Sequence, residues 1–418
     1  MKKLIKAFAF GVALVACFGF GFSWRDLRHG ERPDKTALAL LFASFSSEPP
    51  QSADQIFKDQ YNKILADYER PIKPRDLKYA GIEGMMASLG DPHTMFLEPT
   101  DAEQFSAETQ ANIVGIGARL QEDPLGAKAT RVFDNGPAYA NGMRDGDVIT
   151  TVNGKSIAGQ KLEDVVKSIK GEKGTTVKLL VVRGSSPEPL PMTIKRARVI
   201  IPTVDSKYLD KSGVGYVTVE SFSEPTAEQF DDELGKLEKH PLKGLIIDLR
   251  GNPGGLLESA REMLSRFVEN KLVVKMKFRD GSEEVAKTYP GLVHSFNYPV
   301  VLLVNEDSAS AAEIFSGALR DYRLATLVGE HTYGKASVQN VFALKDGSSA
   351  KVTIARYYLP SGADIGRKLD DYGQYKSGGL EPDIKVDIDP MNQGVIIGNP
   401  VKDPQLAKAV DFILSKQR

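Results

Sequence analysis

From about Gly213 onward, runs of strand character alternate with runs of helical spacing, and no other feature of this 418-residue chain restricts its fold as much. Strand-like Val214 to Val219 is followed by a helical stretch Ala227 to Glu238, a strand Gly244 to Leu249 and a helix around Leu256 to Val268. A strand Val300 to Val304 and a helix Ala311 to Leu319 come next. Alternation of this kind builds an α/β core, because each helix covers the sheet that its flanking strands join. The chain is too long for one hydrophobic core, and ordinary domain sizes predict about two to four units.

The regions before this core have other textures. Apolar residues at Ile56, Tyr61, Ile64, Leu65 and Tyr68 follow helical spacing, Ser52 and Gln55 form a capping-box pair, and Arg70 to Pro74 separates a second helix near Leu77 to Leu89. The segment 34–110 therefore reads as a helical N-terminal region. Between 111 and 198 short β-type runs are punctuated by glycine, with an Asn153-Gly154 hairpin signal and a β-branched strand Val177 to Val182. One helix interrupts them, with Leu162, Val165, Val166 and Ile169 on a single face. The core occupies 199–388, and a tail, 389–418, ends in an amphipathic helix from about Asp403 to Leu414.

The first 22 residues stand apart. Lys2, Lys3 and Lys6 precede an apolar run from Ala7 to Phe22, the layout of an export signal. The only cysteine, Cys17, follows Leu14-Val15-Ala16, a string that resembles the lipobox at which exported bacterial proteins are acylated; an ordinary signal would use Cys17 as one more apolar residue. The expectation is an exported protein of the bacterial periplasm or cell envelope, held at the membrane through its signal or a lipid on Cys17.

Composition narrows the chemistry. A formal net charge of -1 offers no basic excess for a phosphate backbone, so nucleic acid is not an expected partner. One cysteine and five scattered histidines form no metal-ligand pattern, and neither a metal nor another cofactor is expected. What remains is a serine at a strand-to-helix turn. Val300 to Val304 runs into Asn305-Glu306-Asp307-Ser308-Ala309-Ser310, and a helix follows. There a serine hydroxyl meets backbone N–H groups able to stabilise an oxyanion, although either serine could equally be a helix cap. After the next strand stands Lys335, flanked by Gly334 and Ala336. Buried there, its ammonium would be disfavoured, and a neutral amine can accept a serine proton.

Taken together, Ser308-Ala309-Ser310-Ala311-Ala312-Glu313-Ile314, Val328-Gly329-Glu330, Gly334-Lys335 and Val338-Gln339 resemble the signature of the carboxy-terminal processing, or tail-specific, serine peptidases. The resemblance implies Ser310 as nucleophile, Lys335, 25 positions on, as general base, and Gln339, four further, as the residue that orients the lysine. Asp248 to Gly255 is similar to the family's oxyanion loop, which implies a donor from Gly254 or Gly255 paired with the Ala311 N–H. Gly115-Ile116-Gly117-Ala118 opens what looks like the family's PDZ domain. That implies a loop receiving a terminal carboxylate and a groove bordered by Val165 and Ile169. The implied fold is multidomain α/β: a helical N-terminal region, a β-rich PDZ domain, and a crotonase/Clp-protease-like catalytic core with cap elements.

The implied activity is serine endopeptidase cleavage near apolar, free C-terminal tails of protein substrates. The PDZ domain would capture the tail and gate the dyad, and an adaptor or activator protein and a homo-oligomer would be further partners. A silent tail-binding adaptor would lack the serine or lysine, and an ester hydrolase on the same core would leave the PDZ segment without a task. Departures from the family pattern are Gly251, Ala312 and Ala336, and an insertion from Arg367 to Lys376.

Overall fold

A computed structural model describes residues 52–184, 188–370, 372–389 and 394–417. The signal expected at 1–22 and the acylation expected at Cys17 lie outside these residues. The chain divides into two compact units, one through Gly81 and one from Ile82 onward. The division falls inside the helical region expected at 34–110.

In the first unit, helix α1 (Ala53–Asp67) starts at Ser52, whose hydroxyl accepts the Gln55 N–H at 3.2 Å. The expected reciprocal bond from Gln55 is replaced by one to Asp59, at 2.9 Å. Helix α2 (Pro74–Ala87), within which the division falls, begins earlier than the sequence suggests. Proline is tolerated at a first helical position, where its missing N–H has no partner to lose.

The second unit continues with β1 (Met95–Leu97), α3 (Pro99–Thr109) and β2 (Asn112–Gly115). Next come β3 (Ala118–Asp123), β4 (Gly126–Val132), α4 (Pro137–Ala140), β5 (Val148–Val152), β6 (Lys155–Ser156) and α5 (Leu162–Ile169). Then follow β7 (Thr176–Val182), β8 (Leu190–Lys195) and β9 (Ala197–Ile200). Strands β3-β4-β5-β7-β8 form an antiparallel sheet, with β6 paired to β5. Its own hydrophobic cluster runs from Ile116 to Ile194 and includes Val165 and Ile169. Strands β2 and β9 pair antiparallel where the chain enters and leaves this domain.

The α/β core follows the alternation read from the sequence. It comprises β10 (Val204–Leu209), β11 (Val214–Val219), α6 (Thr226–Leu237), β12 (Gly244–Asp248), α7 (Leu257–Leu264), β13 (Leu272–Phe278) and β14 (Glu283–Lys287). It goes on with β15 (Val300–Val304), α8 (Ala311–Asp321), β16 (Thr326–Gly329), β17 (Ser337–Ala343) and β18 (Ser349–Tyr358). The inserted stretch supplies β19 (Lys368–Leu369) and β20 (Tyr375–Ser377), a small antiparallel pair; β21 (Ile384–Lys385) and α9 (Pro404–Ser415) close the chain.

The central sheet has the order β10-β11-β12-β15-β16-β21, parallel from β11 to β21, with β10 an antiparallel edge. Its strands read as unbroken apolar runs because both faces are covered. On β12, Leu245 and Ile247 pack toward α6, α7 and α8, while Ile246 packs toward Leu406, Ala409 and Ile413 of α9. That two-residue alternation sorts one strand between two cores. Helix α9 lies so close to the sheet that a Cβ on Gly244 would meet Ile413 at 2.4 Å. A second sheet, β1-β18-β13-β14 with β17 added to β18, flanks the end of the central sheet where the candidate residues gather.

Candidate active site

The parallel strands deliver their C-terminal ends to a cleft of about 1260 Å³. Ser310, Lys335, Gly254, Gly255 and Ala311 line it together, with Val274, Ile314 and Val338 forming apolar wall.

Ser310 is the N-cap of α8 and sits at φ 53°, ψ -114°, a conformation L-residues rarely adopt. Such a turn sets a serine at the start of a helix, next to the first N–H groups of α8. The neighbouring serine has another occupation. Ser308 is fully buried, donates its hydroxyl to the Leu249 carbonyl at 2.7 Å and accepts the Asn305 N–H at 3.0 Å. It ties the turn at Ser310 to the loop after β12.

That loop approaches Ser310 closely. A Cβ on Gly254 would lie 2.8 Å from the Ser310 Cβ and 2.9 Å from the Ala311 nitrogen, and Gly254 has φ 97°. Only glycine fits. The loop is shaped by Asn252, fully buried, whose amide donates to the Val219 carbonyl at 2.7 Å and accepts the Gly254 N–H at 2.8 Å. The Gly254 N–H is thereby occupied. Gly255 pairs with Phe222 as a parallel bridge, in which the Phe222 N–H bonds the Gly254 carbonyl and the Leu256 N–H bonds the Phe222 carbonyl. Neither bond uses the N–H of Gly255.

Lys335 lies between β16 and β17. Burial lowers its ammonium from 10.5 to about 8, and the nearby Lys351 acts in the same direction, while Asp91 and Glu313 oppose it. The loop before β1 brings Asp91 and His93 into this field. Asp91 accepts the His93 N–H at 3.0 Å and the Thr94 hydroxyl at 2.8 Å, and Thr94 in turn accepts the Thr353 N–H of β18 at 3.0 Å. Burial and then the Lys335 charge push His93 below its ordinary value.

Two expected placements differ. Gln339 does not bond Lys335 among the described residues; its Nε2 donates to Ser337 Oγ at 2.9 Å and Thr353 Oγ1 at 3.2 Å. The cause is a register shift between Val338 and Gln339, which sets Gln339 opposite Thr353 on β18. In the β-domain, Gly115 ends β2, Ile116 and Gly117 form the turn to β3, and Ala118 opens β3. Val165 and Ile169, expected to border its groove, are instead spent in the domain core, at 0% and 4% exposure. The half-buried apolar residues beside them are Ala118 and Leu120 on β3 and Leu162 on α5.

The sequence reading gave no role to Glu313, Tyr357, Asp91 or Lys351. Glu313 stands three residues after Ser310, and that Ser-x-x-Glu spacing was a usable signal. Its carboxylate accepts the Ser310 N–H at 2.9 Å. Among the described residues no cluster of His, Cys, Asp and Glu could hold a metal ion, and no helix is long and apolar enough to cross a membrane.

Comparison with known proteins extends over the same residues. Residues 213–386 match the model of peptidase family S41, and residues 129–183 match a PDZ domain model. The chain is 32% identical to the carboxy-terminal processing protease CtpB of Bacillus subtilis (strain 168) over 388 residues, 92% of this chain and 78% of that protein. It is 35% identical to a CtpA-like serine protease of Staphylococcus aureus (strain N315) over 357 residues, 84% of this chain and 69% of that protein. An S41 protease structure from Bacteroides fragilis superimposes with a TM-score of 0.52 at 18% identity, over 88% of this chain and 100% of that one, a likeness of fold.

Proposed function

The chain belongs to peptidase family S41, as a carboxy-terminal processing serine protease with a PDZ domain, and we propose that Ser310 and Lys335 are its catalytic dyad. The observation that carries this reading is their shared cleft, where burial brings Lys335 down to about 8 beside a serine in a strained turn. Neutral Lys335 takes the Ser310 hydroxyl proton as Oγ attacks the scissile carbonyl carbon. The carbonyl oxygen becomes an oxyanion facing the N–H groups of Ala311 and Gly255, the glycine whose N–H the loop leaves unused. Collapse of this intermediate breaks the C–N bond, and Lys335 returns the proton to the departing amine. Water, deprotonated by the same lysine, then attacks the Ser310 ester, and as its C–O bond breaks Lys335 passes the proton to Ser310 Oγ, which restores the free hydroxyl and the neutral amine.

In this reading the free C-terminal tail of a protein substrate docks at Gly115 to Ala118, its carboxylate on backbone N–H groups and its apolar residues near Leu120 and Leu162. Capture there gates the cleft. Gln339 would act on Lys335 only after leaving Ser337 and Thr353. The N-terminal sequence supports export to the envelope, with Cys17 as the acylation point. Intact mass of the protein purified from membranes tests this: a lipid adduct on a chain beginning at Cys17 is expected, and a start downstream of Cys17 without lipid refutes it.

The dyad is tested by substitution. Ser310→Ala and Lys335→Ala are each expected to abolish proteolysis while the far-UV spectrum and melting transition persist, because removal of either leaves no activated nucleophile. Full activity in Ser310→Ala would refute the assignment.

A further inference from the structure

One carboxylate holds both halves of the dyad. Glu313 lies in the first turn of α8 and is fully buried. Its Oε2 accepts the Ser310 N–H and the Lys335 N–H, each at 2.9 Å. Its Oε1 accepts the Gly334 N–H at 2.7 Å and the Thr332 hydroxyl at 2.5 Å. Ser310 ends the turn after β15 and Lys335 stands in the loop after β16, so a single side chain spans two loops. On the carbonyl side, the buried Tyr357 hydroxyl donates to the Lys335 carbonyl and lies 3.4 Å from the Ser310 carbonyl.

We propose that Glu313 is the positioning residue of this peptidase, its carboxylate setting the separation and orientation of Ser310 and Lys335 through their backbone N–H groups. The proposal rests on the dyad reading above. All four partners of Glu313 are donors, an arrangement that suits an anion, whereas a protonated carboxyl would turn an O–H toward one of them. Burial raises the carboxyl above its ordinary value, and the Thr332, Lys335, Gly334 and Ser310 donors act against that rise. Its charge also faces the Lys335 amine, around which stand Lys351, Asp91 and His93. Glu313 thus acts on the base twice, through backbone placement and through charge.

Glu313→Gln and Glu313→Asp in the full-length chain separate these effects. Glutamine keeps the volume but sets an NH₂ against at least one backbone N–H and removes the charge. Aspartate keeps the charge but is one methylene too short to hold both loops. The measurements are kcat, KM and the pH profile on one peptide substrate, scaled to the folded fraction from a thermal melt. Glu313→Gln is expected to lower kcat about 100-fold with KM within about twofold, as misplaced reacting groups do. Its alkaline rise should begin at lower pH, since the anion favouring the Lys335 ammonium is gone. Glu313→Asp should lose kcat while keeping the wild-type midpoint. Wild-type kcat and midpoint per folded molecule of Glu313→Gln overturn the proposal, and if that variant does not fold, wild-type kcat in Glu313→Asp does so. Ser310→Ala measured alongside distinguishes the two readings: a dead Ser310→Ala with an unimpaired Glu313→Gln sinks the clamp alone, whereas an active Ser310→Ala sinks the dyad.

Discussion

A lysine that accepts a proton from serine must shed its own first, and Lys335 is surrounded by groups that decide at what pH this happens. Burial and Lys351 disfavour the ammonium; Asp91 and Glu313 favour it. In the proposed dyad the free amine is the working form, so activity should rise with pH and reach half its plateau near pH 8, well below the ordinary lysine value of about 10.4. Lys351→Met removes a like charge and should move that midpoint up, while Asp91→Asn removes an opposite charge and should move it down. Rates at saturating substrate between pH 6 and about 10 check both signs. A midpoint unmoved in both variants would mean that another group limits the rate. Ser308→Ala has a different signature. The hydroxyl lies outside the proposed dyad, but its loss leaves the Asn305 N–H without its acceptor, while the Leu249 carbonyl keeps the Asn252 N–H, so stability should fall by about 1–3 kcal/mol, read in a denaturant titration, with kcat per folded molecule little changed.

At the scale of elements, the strands and helices of the core were legible because their period is strong. Val300 to Val304 occupies the span read from the sequence, and the nucleophile turn follows it directly. What the sequence concealed is lateral. The neighbour relation of β17 and β18, with its shift at Gln339, depends on a bulge that no local pattern announces, and it turns the amide away from Lys335. Helical periodicity identified the apolar face of α5 but could not tell a groove wall from a core wall, and Val165 and Ile169 proved to be core. The turn between β2 and β3 is more transparent. Gly117 has φ 81°, and a Cβ there would lie 2.8 Å from the Gly136 Cα, backbone that cannot step aside. Gly117→Val should therefore displace the turn and weaken capture of a free C-terminus. Substrates with free and amidated termini should be cleaved at different rates by the wild type and at equal rates by the variant. Equal rates already in the wild type would show that tail selection lies elsewhere.

Across the whole α/β core, the loop at Gly254 is linked through Arg250 to a helix about 150 residues further along the chain. Arg250, next to that loop, binds Asp248 in the same turn and reaches Asp403 at 2.8 Å and 3.0 Å, and Gln405 at 2.9 Å. Asp403 caps α9 by accepting the Leu406 N–H at 3.0 Å, and Tyr216 closes the network on Asp248 at 2.6 Å. The arginine and both aspartates are at most 5% exposed at the side chain. Burial alone would raise the Asp403 carboxyl, and Arg250 together with the Leu406 and Gly398 N–H groups more than offsets it, so its value lies below the usual range. Its contribution to stability is thus complete above the unfolded carboxylate value of about 3.9 and lost as pH falls through the lower folded value. Arg250→Met leaves two buried carboxylates without their cation and should cost about 3–5 kcal/mol at neutral pH. Arg250→Met with Asp403→Leu relieves part of that charge and should recover some of the loss, at the expense of the α9 cap. Urea titrations of the three proteins measure the differences, and peptide cleavage measures whether the loop at Gly254 has moved. If the single variant kept wild-type stability, the network would be a tether of little weight. If it lost stability but kept kcat per folded molecule, α9 would support the core without shaping the oxyanion loop.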